Sequence, residues 1–351
     1  MFHKPPAPTT GWKLGRIPCP SLTLAPVNHT RLIAVYVGLS LTTVAVFGLS
    51  LASGSIRLGA AELWAAFSSQ DALAHSLVFE LRLPRTLTGF AAGGALALAG
   101  ALLQILLRNP LADPFVMGVS GGAAAAALSA MLLGLSGFAI DAAATLGALG
   151  ATLLVFALAR GDGGWTPTRL LLTGVVIAAG ASALVSLLLT LGDERQLRGM
   201  LFWLMGDLAF SEAPGPLLGI LLIALAASAP CARQLNVLAR SELQARILGA
   251  PVDALRIGIF LASALLTGAS VTTAGAIGFV GLVTPHLARL LVGADHRLML
   301  PAAALLGGAL VMIADLCART LFAPRQLPVG ALTALIGTPL FLALMRRAAR
   351  R

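Results

Sequence analysis

Long apolar runs, broken by short polar segments, recur from residue 31 to the C-terminus. They fall at 31–52, 86–107, 115–134, 141–159, 168–191, 214–230, 254–276, 279–292, 299–320 and 328–345. A membrane-spanning helix needs about 20 apolar residues to cross a hydrocarbon core of about 30 Å. The pattern therefore predicts an all-α polytopic membrane protein with about ten transmembrane helices. The eighth run is short and carries Pro285.

The basic residues set an orientation, because inner loops carry an excess of Lys and Arg. With the N-terminus inside and ten crossings, Arg57, Arg82, Arg85, Arg195, Arg198, Arg319 and Arg325 lie outside, and the rest of the 24 basic residues lie inside. Removing the eighth crossing would throw the C-terminal "RRAARR" outside, so the rule keeps it. Both termini are expected in the cytoplasm. Residues 1–30, Pro-rich and polar, read as a disordered cytoplasmic tail, residues 31–347 as the ten-helix transmembrane domain, and residues 348–351 as a basic tail.

Composition agrees with lipid as the solvent. The chain is 58% hydrophobic and 11% charged, against about 25% charged in soluble domains. The formal charge of +10 comes from clusters between apolar runs, a topology signal rather than a nucleic-acid surface. Cys19, Cys231 and Cys317 are too widely spaced for a disulfide or zinc framework. The five histidines show no metal-ligand spacing, so no metal site is expected. Lysine occurs only at positions 4 and 13, which excludes a Walker A phosphate loop. No catalytic constellation is visible.

A few positions stand out against this background. Arg82 and Arg85, in "LRLPRTLTGF", precede or begin the second helix on the side where basic residues are under-used. Cations at a helix N-terminus oppose the macrodipole. They either snorkel to outer headgroups or await an anionic partner from outside. Asp315 is the one acid inside a span. It is either a functional intramembrane acid or the i,i+4 partner of Arg319. An ion-coupled secondary transporter is the alternative reading that Asp315 keeps open. Gly89, Gly93, Gly94 and Gly100 on the second helix fit either tight packing or a side-chain-poor pathway wall. "TAGAIGFVGLVTP" faintly repeats the spacing of "LAGALLQILLRNP", with Gly275 and Gly100 each ten residues before a proline. "RNPLADPFVMGVSGG" breaks the chain with Pro110 and Pro114. The loop 231–256 holds a short helix near 241–248, ended by Gly249 and Pro251. That helix is either part of a plain basic loop or a surface that docks a cytoplasmic motor.

The motifs "LRLPRTL", "GALLQILLRNPLADPFVMGVSGGA", "LFWLMGDL", "GAIGFVGLVTPHLARLLVGADHR" and "LPVGALTALIGTPLFLAL" together resemble the FecCD-type permease subunits of ABC importers for iron chelates, haem or cobalamin. The resemblance covers residues 31–347. It implies a homodimer of ten-helix subunits in the bacterial inner membrane, with a central pathway and alternating access. It also implies two separate ATPase subunits, which would hold the ATP and Mg, and a periplasmic substrate-binding protein. No cofactor is expected on this chain. By the same resemblance, Arg82, Arg85 and Arg319 match arginines that meet the binding protein, and Arg246, Leu248, Gly249, Ala250 and Pro251 match the segment that contacts the ATPase. Asp207 and Glu212, in "GDLAFSE", depart from the small or neutral residues usual there.

Overall fold

The computed structural model describes residues 29–54, 56, 58–68, 72–161, 165–209 and 213–349. The expected tail up to residue 28, Arg57, Glu212 and residues 350–351 lie outside them. Every regular element is helical among the described residues. Eight helices are long and apolar enough to cross a membrane: α1 (His29–Ala52), a continuous helix Ala72–Leu107, α6 (Phe138–Leu158), α7 (Pro167–Leu191), α9 (Gly215–Arg240), α11 (Val252–Ala274), α13 (His296–Thr320) and α14 (Val329–Ala349). Two shorter apolar helices complete the set, α5 (Val119–Leu132) and α12 (Val280–Val292). Each expected run thus falls on one helix. Short non-spanning helices are α2 (Ala60–Phe67), α8 (Glu194–Met205) and α10 (Glu242–Ile247). Ala72–Ser76, which we call α3, and α4 (Leu83–Leu107) are the two ends of the continuous helix.

Three boundaries differ from the sequence expectation. α1 starts at His29, inside the stretch assigned to the tail. The second membrane helix starts well before residue 86, because Leu77–Arg82 widens into a π-turn that carries the chain past Pro84. The Leu83 N–H reaches back to the Val78 carbonyl, an i→i+5 bond, so the bond Pro84 cannot donate is absorbed by the wider turn. Arg82 and Arg85 therefore lie within a helix rather than at its start, and the dipole argument against them lapses. Finally, α9 runs through Pro230 to Arg240, so most of the expected loop 231–256 is helix.

α4 is the central pillar, with 89% of its apolar window buried against 6% for α1 and 11% for α7. Its sequence explains this. Ala91, Ala92, Ala95, Ala97 and Ala99 together with Gly93, Gly94 and Gly100 leave a rod that neighbours approach closely. A Cβ on Gly93 would stand 2.1 Å from the Gly307 carbonyl oxygen of α13, and one on Gly100 would stand 2.0 Å from the Gly281 oxygen of α12. Ser263 of α11 donates to the Ala99 carbonyl at 3.4 Å. α1 and α7 are mostly exposed in the single subunit.

The two short helices begin inside the molecule. Asp113 caps a 3₁₀ turn at Pro114–Met117, Gly118 turns left-handed (φ 76°), and α5 starts against Ile177 and Gly174 of α7. α12 starts after Phe279, itself left-handed (φ 68°), and packs Gly281 on the Leu96 carbonyl and the Pro114 ring. Such breaks survive at membrane depth only when lined by protein. The expected glycine–proline repeat does not hold: Gly100 is mid-helix, whereas Gly275 ends α11 with φ 67°. What recurs is a long helix, an irregular break and a short helix, first as α4–α5 and then as α11–α12.

Candidate functional site

The residues singled out gather at the two ends of α4, about 36 Å apart by helical rise. At its N-terminal end, Arg82, Arg85, Asp315 and Arg319 converge from α4 and α13. Asp315, 1% exposed, sits between two guanidiniums. Its Oδ1 lies 2.8 Å from Arg85 Nε and Nη2, and its Oδ2 lies 3.0 Å from Arg319 Nε. Gln326 accepts from Arg85 Nη1 at 3.1 Å. Arg319 also donates to Ser50 Oγ at 2.6 Å, and Ser50 Oγ in turn lies 2.8 Å from Thr86 Oγ1. Arg82 donates to the Leu51, Ala52 and Ile56 carbonyls at 2.6, 3.1 and 2.5 Å. It thus closes the C-terminal end of α1, where carbonyls lack helical partners.

Arg82, Arg85 and Arg319, expected at the contact with the binding protein, do not stand free in the single subunit. They are 6%, 8% and 6% exposed, and every one is turned inward onto Asp315 or onto carbonyls. Sequence grouped the arginines and paired Arg319 with Asp315. It missed that Arg85 shares the same carboxylate, 230 residues away in sequence. The exposed guanidiniums among the described residues at this end are Arg195, Arg198 and Arg325. Asp207, half-buried, accepts from the Ala209 N–H at 2.8 Å and shapes the turn after α8.

The glycines expected to wall the pathway sit at helix contacts in the single subunit. Gly89, Gly93, Gly94 and Gly100 are all buried against Leu208, Gly307, Leu221 and Gly281. They close seams between helices within the subunit.

At the other end, α10 forms as the sequence predicts. Ser241 Oγ caps its start, and Gly249 (φ 77°) ends it, donating to the Arg246 carbonyl at 3.0 Å. Ala250 N–H reaches the Ala245 carbonyl at 2.9 Å, leading the chain through Pro251 into α11. Glu242 anchors the charged side. It pairs with Arg256, with Arg246 at 3.3 Å and with Arg108 at 3.9 Å. Arg246 also meets Asp253 at 2.9 Å, and the Asp253 hydrogen bond raises its pKa above the ordinary arginine value. The opposite side is apolar and bare: Leu243, Ile247 and Leu248 are 68%, 74% and 71% exposed.

Comparison with known proteins decides the family, since the model of the FecCD transport family matches residues 41–347. The chain belongs to the FecCD transport family. Among FecCD relatives, the hemin transport system permease protein HmuU of Yersinia pestis is 40% identical over 318 residues, covering 85% of this chain and 92% of that one. The vitamin B12 import system permease protein BtuC of Salmonella typhi is 38% identical over 334 residues, covering 94% and 100%. A solved metal-chelate type ABC transporter in an inward-facing conformation superposes with a TM-score of 0.81 at 34% identity, covering 90% of this FecCD chain and 99% of that structure. The FecCD chain is thus the permease subunit of an ABC importer, a multi-pass membrane protein with no catalytic role of its own.

Proposed function

We propose that this permease carries a metal chelate of the ferric siderophore, haem or cobalamin class across the bacterial inner membrane, working as a homodimer by alternating access. The haem and vitamin B12 permeases at about two-fifths identity support the substrate class. ATP and Mg belong to two partner ATPase subunits. A periplasmic binding protein delivers the chelate. An ion-coupled carrier is not favoured: the buried acid within the spans, Asp315, is already held by two arginines.

The bare apolar side of α10 carries the coupling reading. Leu243 and Ile247 on a six-residue helix, with Leu248 just past its end and a fixed charge network beside them, suit a groove in a motor subunit. Arg246, Leu248, Gly249, Ala250 and Pro251 form the contact, with Gly249 and Ala250 allowing close approach. The double variant Ile247→Glu, Leu248→Glu tests it. Both side chains are exposed, so folding changes by about 0.5 kcal/mol or less. Each loses about 1.5–3 kcal/mol of apolar burial at the contact. The variant is expected to run as a monodisperse permease that no longer co-purifies with its ATPase. Normal co-purification would reject the reading.

Docking of the binding protein falls to the exposed arginines at the other end. Arg82, Arg85 and Arg319 act behind them by holding the outer ends of α1, α4 and α13 in register. Reversing Arg195, Arg198 and Arg325 to Glu is expected to weaken binding-protein affinity and flatten its salt dependence, because steering by exposed charge is screened by salt. An unchanged salt slope would exclude these residues from the contact.

A further inference from the structure

A cavity of about 640 Å³ opens at the α10 end of the molecule. It lies between the C-terminal ends of α4, α9 and α12 and the N-terminal end of α13, and transport as described makes no use of it. Three arginines from three elements line it: Arg108, Arg240 and Arg289. The single carboxylate in its wall, Asp295, is already taken, accepting from Asn236 Nδ2 at 2.8 Å and from the Arg297 N–H at 3.0 Å. Arg289, half-buried, donates only to a neutral amide oxygen, Gln104 Oε1, at 3.3 Å. Glu242 lies 3.9 Å from Arg108 but is shared with Arg246 and Arg256. The wall therefore has an excess of cationic donors over acceptors.

We propose that this cavity binds a phosphate group, supplied by an anionic phospholipid of the cytoplasmic leaflet. Planar guanidiniums from several directions suit the tetrahedral oxygens of a phosphate, which accept bidentate hydrogen bonds. The site sits at the end of the spans, level with the C-terminus of α4, at headgroup depth. Its wall includes Ile105, Val292 and Leu298, against which acyl chains can lie. It also adjoins the most exposed span: the Leu298 carbonyl accepts from Tyr36 of α1 at 2.5 Å, and α1 is the least buried of the spans. Basic pockets between membrane helices on the cytoplasmic side hold anionic headgroups for this reason. The inference rests on the inward orientation of the α10 end. It does not depend on which chelate is carried.

The test is native mass spectrometry of the intact permease–ATPase complex titrated with dioleoyl phosphatidylglycerol and, separately, with inorganic phosphate. Near an anionic surface each arginine contributes about a fivefold change in affinity. Arg240→Gln and Arg289→Gln are each expected to lower phosphatidylglycerol retention roughly fivefold, and Arg289→Lys to lower it less. Arg160→Gln, a control at the same end outside the cavity, is expected to change nothing. Inorganic phosphate binding with the same arginine dependence, without lipid retention, would keep the phosphate site and assign it a soluble source. If neither probe responds to the arginines, the proposal fails. Loss of the ATPase subunit with lipid retention intact would also overturn it, in favour of a protein partner. Retention is read without transport, so its failure is separable from failure of the importer reading.

Discussion

Replacing Asp315 with alanine is expected to lower both the yield of folded permease and its melting temperature sharply. The carboxylate is shared by two guanidiniums that are themselves more than nine-tenths buried. Removing it leaves Arg85 and Arg319 facing each other across the outer end of α4 and α13. Breaking a buried ion pair from one side costs about 3–5 kcal/mol, a large share of a total stability of about 5–15 kcal/mol. Neutralising the whole group is milder, since apolar replacement of a buried charge cluster is often near neutral. The triple variant Arg85→Met, Asp315→Leu, Arg319→Met should therefore recover much of what Asp315→Ala loses. Size-exclusion profiles and melting temperatures of the purified proteins check the ranking. A melting temperature unaffected by Asp315→Ala would mean that the cluster is solvated and the arginines are free after all.

The second large effect is expected at the glycine seams. Gly93 and Gly307 clash reciprocally if either gains a Cβ, at 2.1 and 2.3 Å from the opposing carbonyl oxygen. Gly100 stands in the same relation to Gly281, whose own Cβ position is blocked by the Pro114 ring at 2.7 Å. In each case the obstacle is backbone or a rigid ring, so no rotamer change relieves it. Gly93→Ala and Gly100→Ala must spread α4 from α13 and α12, at a cost of about 1–3 kcal/mol or more for overpacking. Gly180→Ala on the exposed α7, where nothing lies within 4 Å, should instead stabilise, because alanine is favoured over glycine in a helix by about 1 kcal/mol. The sign difference between these substitutions is the readout. If Gly93→Ala melts with Gly180→Ala, the seam is looser than described.

The spans were legible because apolar length is read one residue at a time, and lipid enforces it on every crossing. α10 was legible too, since Ser241, Gly249 and Pro251 bracket it locally. The direction in which Arg82 and Arg85 point was not. It depends on Asp315 and on the carbonyls of Leu51, Ala52 and Ile56, which no local pattern ties to "LRLPR". The glycines of α4 were ambiguous for the same reason: packing and pathway call for the same small residues, and only the facing Gly307 and Gly281 choose between them. The cavity lined by Arg108, Arg240 and Arg289 was invisible, because its three arginines belong to separate inner loops and helix ends that composition counts merely as topology.

As an ABC importer permease, this chain is expected to move its cargo only when a separate ATPase drives it. The most direct measurement is chelate uptake into proteoliposomes holding the permease with or without its ATPase, loaded binding protein being present, with haemin, cobalamin and ferric siderophores assayed in turn. Uptake of one chelate class that requires the ATPase and ATP, and that is unaffected by proton or sodium gradients, is the predicted result. Uptake by the permease alone, driven by an ion gradient, would contradict it.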